Sequence, residues 1–231
     1  MPDSGTVARV GGISAIVGVI VLFVATMLHP LDAQPGDAPA AFAEYALDRF
    51  WVATHLGQLL GVLLVAAGLV ALSWKLRAGR AGLWALLAGL ATVASVSLAG
   101  ALQAVDGIAL KFMVDRWSSS ADGARSVVFE AAFGVRQIEI GLASLMGAFF
   151  GLTALLYGIA LLLSPIAPTW LGVFGVVAGA ATVISSVIQA HAGFSDIAMA
   201  TSMPSTLLLL VWSICIGILL LRTTGAEHHT A

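Results

Sequence analysis

Apolar residues run along this chain in stretches too long and too evenly hydrophobic for soluble helices. A bilayer span needs about 20 mostly apolar residues. Read on that basis, the sequence predicts spans near residues 9–28, 51–74, 82–105, 138–163, 170–190 and 205–222. The expected fold is an all-α membrane protein, a six-transmembrane-helix bundle in one domain. Segments 29–50 and 106–137 lie at one end, and a polar C-terminal tail follows from 223 to 231. The opposite end has two short turns, Lys75-Leu76-Arg77-Ala78-Gly79-Arg80 and Ser164-Pro165-Ile166-Ala167-Pro168-Thr169. In the second turn two prolines force a sharp stop and restart.

The first run could be mistaken for a secretory signal. Its core, Ile13–Leu28, is slightly long for that role, and His29-Pro30-Leu31-Asp32-Ala33 makes a poor small-residue cleavage site, so it is read as a retained span. Within 37–50, Asp37 is placed to cap a helix with Pro39 in its first turn. Phe42, Tyr45 and Phe50 would let that helix lie on the membrane surface. In 106–136 the one clear breaker is Ser118–Gly123. Spans three and four are therefore expected to continue as helices past the bilayer. A dozen further residues would project roughly 18 Å. Trp51, Trp74, Trp84 and Trp170 fall near span ends, where an amphipathic ring prefers the interface.

Laying Trp84–Gly107 on Trp170–Gly193 without gaps pairs Trp84 with Trp170, Gly89 with Gly175, Gln103 with Gln189 and Gly107 with Gly193. In so Ala-, Gly- and Val-rich a background, such matches fit a duplicated hairpin and chance similarity alike. Duplication would make spans two to five a four-helix core, with spans one and six peripheral. Gly57/Gly61, Gly147/Gly151 and Gly172/Gly175/Gly179 are small-residue surfaces of the kind that let helices approach closely in lipid.

Basic residues set the expected orientation. With the N-terminus in the cytoplasm, the inner segments hold Arg9, Lys75, Arg77, Arg80 and Arg222, and the outer ones Arg49, Lys111, Arg116, Arg125 and Arg136. The numbers are equal, but the inner segments are much shorter and contain the densest cluster, which favours both termini inside a plasma membrane.

Composition narrows the classes further. The chain is 60% hydrophobic and 10% charged, against about 25% charged in soluble domains. A net charge of −2 without a long basic run argues against a nucleic-acid partner. Cys215 is the single cysteine, which excludes an intrachain disulfide and multi-cysteine metal sites. There is no Gly-x-Ser-x-Gly, phosphate-binding loop or dinucleotide fingerprint.

Polar side chains inside lipid are costly unless they face the bundle, a partner or water. Here they gather at one end. Span two places His55 and Gln58 on one face, span three Gln103 and Asp106, span four Arg136 and Glu139, and span five Gln189 with His191 just beyond. His29 closes span one and is read as interfacial, while His228 and His229 sit apart in the tail. One reading is structural: Asp106 and Arg136 form an interhelical ion pair, with Glu139 and Lys111 completing a network. Another is a polar outward-facing pocket for a small-molecule or lipid ligand, lined by His55, Gln58, Gln103, Asp106, Arg136, Glu139, Gln189 and His191. Non-catalytic binding or scaffolding, with no cofactor, is the leading expectation. Two alternatives use the same residues. His55, His191, Asp106 and Glu139 would be the ligands of a zinc-dependent hydrolase acting on a lipid-like substrate. His55 and His191 would be the axial ligands of a single haem.

The segments His55-Leu56-Gly57-Gln58, Ala104–Lys111 and Val135-Arg136-Gln137-Ile138-Glu139 resemble those of a bacterial family of six-helix membrane proteins of unknown function. The resemblance implies a membrane location and a helical fold, and it supplies no catalytic residue.

Overall fold

The computed structural model describes residues 3–30 and 32–227. Its described elements are helical: α1 (Ser4–Met27), α2 (Ala38–Leu47), α3 (Trp51–Leu76), α4 (Gly82–Gln103), α5 (Lys111–Ser118), α6 (Asp122–Leu162), α7 (Thr169–Ala192) and α8 (Asp196–Glu227). A π-helical segment, Ala104–Leu110, joins α4 to α5, so the chain stays helical from Gly82 to Ser118. Six of these helical stretches are long and apolar enough to cross a membrane. Large apolar side chains such as Leu83, Leu90, Val93 and Ile184 stand exposed around the outside, as a bundle in lipid requires. α8 stays helical past residue 223 as far as Glu227. His228 and His229 lie outside the described residues.

The spans form a ring in chain order. α1 packs on α3, α3 on α4, α4 on α6, α6 on α7 and α7 on α8, and α8 closes against α1. This corrects the expectation that spans one and six are peripheral to a four-helix core. α1 makes one of the two closest helix pairings, while α3 and α7 form no packed pair because α1 and α8 stand between them. The reason is small-residue packing that the apolar pattern alone does not reveal. A Cβ at Gly18 would lie 2.6 Å from the Val65 nitrogen, and one at Gly12 would lie 2.8 Å from the Gly217 carbonyl oxygen. α6 and α7 pack in the same way, where a Cβ at Gly179 would lie 2.5 Å from the Gly151 carbonyl oxygen. Gly61 and Gly147, which the repeat alignment superposes, face different partners, Leu22 and Ser186.

Two apolar cores stack along the bundle. One fills the end bearing the short turns, around Leu72, Leu76, Tyr157, Leu161, Trp212 and Ile216. The Tyr157 hydroxyl donates to the Leu69 carbonyl (2.7 Å) and lies 2.7 Å from Ser73 Oγ, tying α6 to α3 inside this layer. The other core is a cap at the opposite end, built from Phe42, Tyr45, Trp51, Leu110, Val114 and Trp117 with Ala132 of α6. The caps and turns that shape it are local. Asp37 Oδ1 accepts from the Ala40 N–H (3.2 Å) at the start of α2, and Lys111 donates to the Tyr45 and Ala46 carbonyls (2.9 and 3.2 Å) at its end. Such cations at a helix C-terminus satisfy carbonyls that have no intrahelical partner. α2 therefore does not lie on the lipid surface as its aromatic residues suggested. Phe42 and Tyr45 are buried in the cap, and Phe50 is exposed.

The close α6–α7 approach makes a direct prediction. Gly179→Leu should lower the thermal stability of the detergent-solubilised protein, at an overpacking cost of ~1–3 kcal/mol. Gly141→Ala, where an added Cβ meets nothing within 4 Å, should be neutral or stabilising by up to ~1 kcal/mol.

Candidate functional site

The site lies where the cap meets the bundle, and its geometry begins with the register of two antiparallel helices. His55 and Gln58 are three residues apart on α3, and Gln103 and Asp106 are three apart on the facing chain. The pairs therefore match at successive turns, His55 with Asp106 and Gln58 with Gln103. His55 Nε2 lies 3.1 Å from Asp106 Oδ2, and Gln103 Nε2 donates to Gln58 Oε1 at 3.3 Å. The π-helical segment begins directly after Gln103 and carries Asp106. Such segments change the facing of a helix and recur at functional sites. Gly107 within it lets the segment press onto α3, for a Cβ there would stand 2.6 Å from His55 Cβ.

His55 is held at both ring nitrogens. Nδ1 is 2.7 Å from the Trp51 carbonyl oxygen, an acceptor only, so this nitrogen carries a proton. The Nε2–Oδ2 hydrogen bond then needs one more proton, borne by the ring or by the carboxyl. The Trp51 indole N–H donates to the Asp106 carbonyl (3.1 Å), so the pair is tied at backbone and side chain alike. Trp51 is 1% exposed and is not the interfacial ring its position at a span end suggested. Its ring lies between Tyr45 and His55, with centroids 4.3 and 4.5 Å away. His29 completes the group at 4.8 Å from Trp51 and 5.2 Å from His55. Burial holds His29 below the ordinary imidazole value, opposed by its hydrogen bond to the Pro30 carbonyl.

Arg136 does not pair with Asp106, and this corrects the expected ion-pair network. The Arg136 guanidinium, 2% exposed as a residue, donates to the Pro35 carbonyl at 2.6 Å and the Tyr45 hydroxyl at 3.4 Å. Its central carbon stands over the rings of Phe42, Tyr45 and Phe194 at 5.6, 5.6 and 5.3 Å. The cation is thus solvated by a carbonyl, a hydroxyl and three π faces. Burial pushes the Tyr45 phenol above its ordinary range, and Arg136 opposes the shift. Lys111 also leaves the proposed network, because it caps α2 and pairs with Asp115 at 2.8 Å.

Glu139, one turn along α6 from Arg136, is 6% exposed, and its Oε2 has no hydrogen-bond partner among the described residues. Gln103 Oε1 is likewise buried without a partner. Gln189 is tied elsewhere, donating to Ser144 Oγ (3.4 Å) between α7 and α6. His191 is exposed at the end of α7, so it does not join His55, Asp106 and Glu139. Among the described residues no group of three or more His, Cys, Asp or Glu side chains is placed to hold a metal ion. The zinc quartet and the His55–His191 haem pair are therefore not assembled. Both assumed that a histidine close to the cluster along the chain would turn inward. The helix instead presents it outward, two residues beyond the buried Gln189.

Sequence reasoning missed Tyr45, Trp51, Phe194 and the Pro35 carbonyl, and it set His29 aside as interfacial. Hydropathy marks none of them, because a Trp or Tyr at a span end reads the same whether it faces lipid or protein. The chain matches no family model, no curated protein and no solved structure.

Two measurements probe this geometry. In a double-mutant cycle on thermal stability, His55→Gln and Asp106→Asn should couple by ~1 kcal/mol or more, while Asp106→Asn and Arg136→Gln should be additive to within ~0.5 kcal/mol. The second concerns pH. Because the folded protein depresses the His29 pKa, the unfolded chain binds a proton that the folded ring refuses as pH falls below about 6.5. Stability should therefore be fully present above that pH and decline below it. His29→Gln should flatten the decline, read from amide exchange in residues 38–47.

Proposed function

We propose that this protein is a non-catalytic, multi-pass protein of the plasma membrane, with its termini in the cytoplasm and its cap on the outer face. In this reading it binds a compact, donor-bearing ligand of the organic ammonium type beneath the cap. The observation that carries the proposal is the surplus of acceptors at the junction of cap and bundle. Glu139 Oε2 and Gln103 Oε1 are buried without partners among the described residues, and the Asp106 carboxyl group, paired with His55, stands in the same region of the bundle. An unsatisfied buried polar group costs about 1–3 kcal/mol, and more if it is charged. A folded protein keeps such groups where something else satisfies them. A ligand with several N–H donors would do so, and its charge would be balanced by the Glu139 carboxyl group, since Asp106 is already matched by His55. The aromatic wall of Trp51 and Tyr45 would suit an alkylammonium for the same quadrupole reason that it suits Arg136.

The sequence holds no soluble catalytic motif beside these acceptors, and binding is the role read here.

The test uses methylammonium chloride as probe and the thermal unfolding of the detergent-solubilised full chain as readout, with sodium chloride as the ionic control. Methylammonium should raise the midpoint, the rise growing with the logarithm of its concentration once the site is saturated. Glu139→Met should start from higher stability, since it removes the orphaned carboxyl, and should lose the methylammonium response. If sodium matches methylammonium, or if the variant responds as the parent does, the proposal fails.

A further inference from the structure

An opening lies at the end of the bundle away from the cap. A groove of about 730 Å³ runs between α1, α3 and α4, among Val10, Ala67, Val70, Trp74 and Leu86. Its walls are almost wholly hydrocarbon, and Val10, Val70 and Leu86 are more than half exposed, so the groove opens toward the surrounding lipid. Small residues form its floor. A Cβ at Gly11 would collide with Ala71, which draws α1 and α3 together there. Its size falls within the range of about 300–1,000 Å³ usual for small-molecule sites.

The polar feature at this groove is cationic. The Arg77 guanidinium carbon stands 4.2 Å from the Trp74 ring centroid, and its Nη1 donates to the Trp74 carbonyl at 2.8 Å. One face and one donor of the guanidinium are thereby fixed, and the remaining donors stay available at an exposed position. The Trp74 indole N–H is itself buried without an acceptor among the described residues. Charge at this end is one-sided. Arg9, Lys75, Arg77, Arg80 and Arg222 stand there, with Asp3 the only acid among the side chains described at this end. A hydrocarbon trough that ends at a stacked guanidinium in a basic field matches a lipid with an anionic headgroup.

We propose that the groove holds one anionic phospholipid, with an acyl chain along α1, α3 and α4 and its phosphate on Arg77. The net negative headgroup is selected by the basic end, and the chain is held by dispersion against the groove walls. This site is separate from the capped one and stands whether or not the capped site binds an ammonium.

Native mass spectrometry of the full-length protein, released from micelles containing equimolar phosphatidylglycerol and phosphatidylcholine with identical chains, tests the proposal. The protein should retain one phosphatidylglycerol in preference to phosphatidylcholine by about five-fold, equivalent to ~1 kcal/mol. Arg77→Gln should bring the two lipids to parity. Ala67→Phe, at an exposed groove position, should remove the retained lipid while leaving the thermal midpoint unchanged. Equal retention by the parent protein would overturn the proposal. So would an undiminished preference in Arg77→Gln, or undiminished retention in Ala67→Phe.

Discussion

Arg136 is a permanent cation that is 2% exposed and forms no ion pair among the described residues, and much of the capped end is arranged to make that tolerable. Removing an ion from water costs several kcal/mol even after relaxation, and a neighbouring anion is the usual compensation. Here the partners are neutral and come from separate stretches of chain. The 32–37 stretch brings the Pro35 carbonyl, α2 brings Phe42 and the Tyr45 hydroxyl, and the turn into α8 brings Phe194. Glu44 in turn pins the loop, its carboxylate accepting from the Asp32 and Ala33 N–H groups at 3.0 and 2.9 Å. With the guanidinium satisfied by neutral groups, Asp106 is free to pair with His55 and Glu139 is left with an orphaned oxygen. The acceptor surplus beneath the cap thus follows from how the cation above it is solvated.

The two ends of the molecule are stabilised differently. In lipid, helices gain nothing from hiding hydrocarbon, so the bundle depends on close backbone approach and dispersion, as at Gly151 and Gly179. The cap projects beyond the span-length part of α4 and α6 and buries Phe42, Trp117 and Val114 by the ordinary hydrophobic effect. His55, Asp106 and Trp51 lie at the junction, where hydrogen bonds between the bundle and the cap hold one to the other.

The six spans could be read in the sequence because hydropathy over 20 residues reports solvent directly. The long extensions of α4–α5 and α6 were legible too, since Ser118–Gly123 is the one breaker between them. The clustering of costly side chains at one end followed from counting positions, and the His55/Gln58 and Gln103/Asp106 spacings already contained the antiparallel register. What the sequence did not reveal was pairing. Asp106 was expected to pair with Arg136, and the π-helical segment that carries it, which has no sharp signature here, sets it against His55 instead. The place of α1 in the ring was equally hidden, because Gly12 and Gly18 look no different from glycines that face lipid. His191 shows the reverse error: two residues of helical phase separate it, exposed, from the buried Gln189.

The ring of spans in chain order also has a consequence for biogenesis. A chain made from its N-terminus can dock each helix on the one just inserted, so α1 and α3, then α4, then α6 and α7 find their neighbours as they emerge. The remaining seam, between α7 and α1, waits for α8. Only then does Gly217 settle against Gly12 and the Trp212 N–H reach the Leu171 carbonyl at 3.2 Å. α8 is therefore the keystone of the assembly, and until it arrives the nascent protein is an open palisade with two unsealed edges in the bilayer.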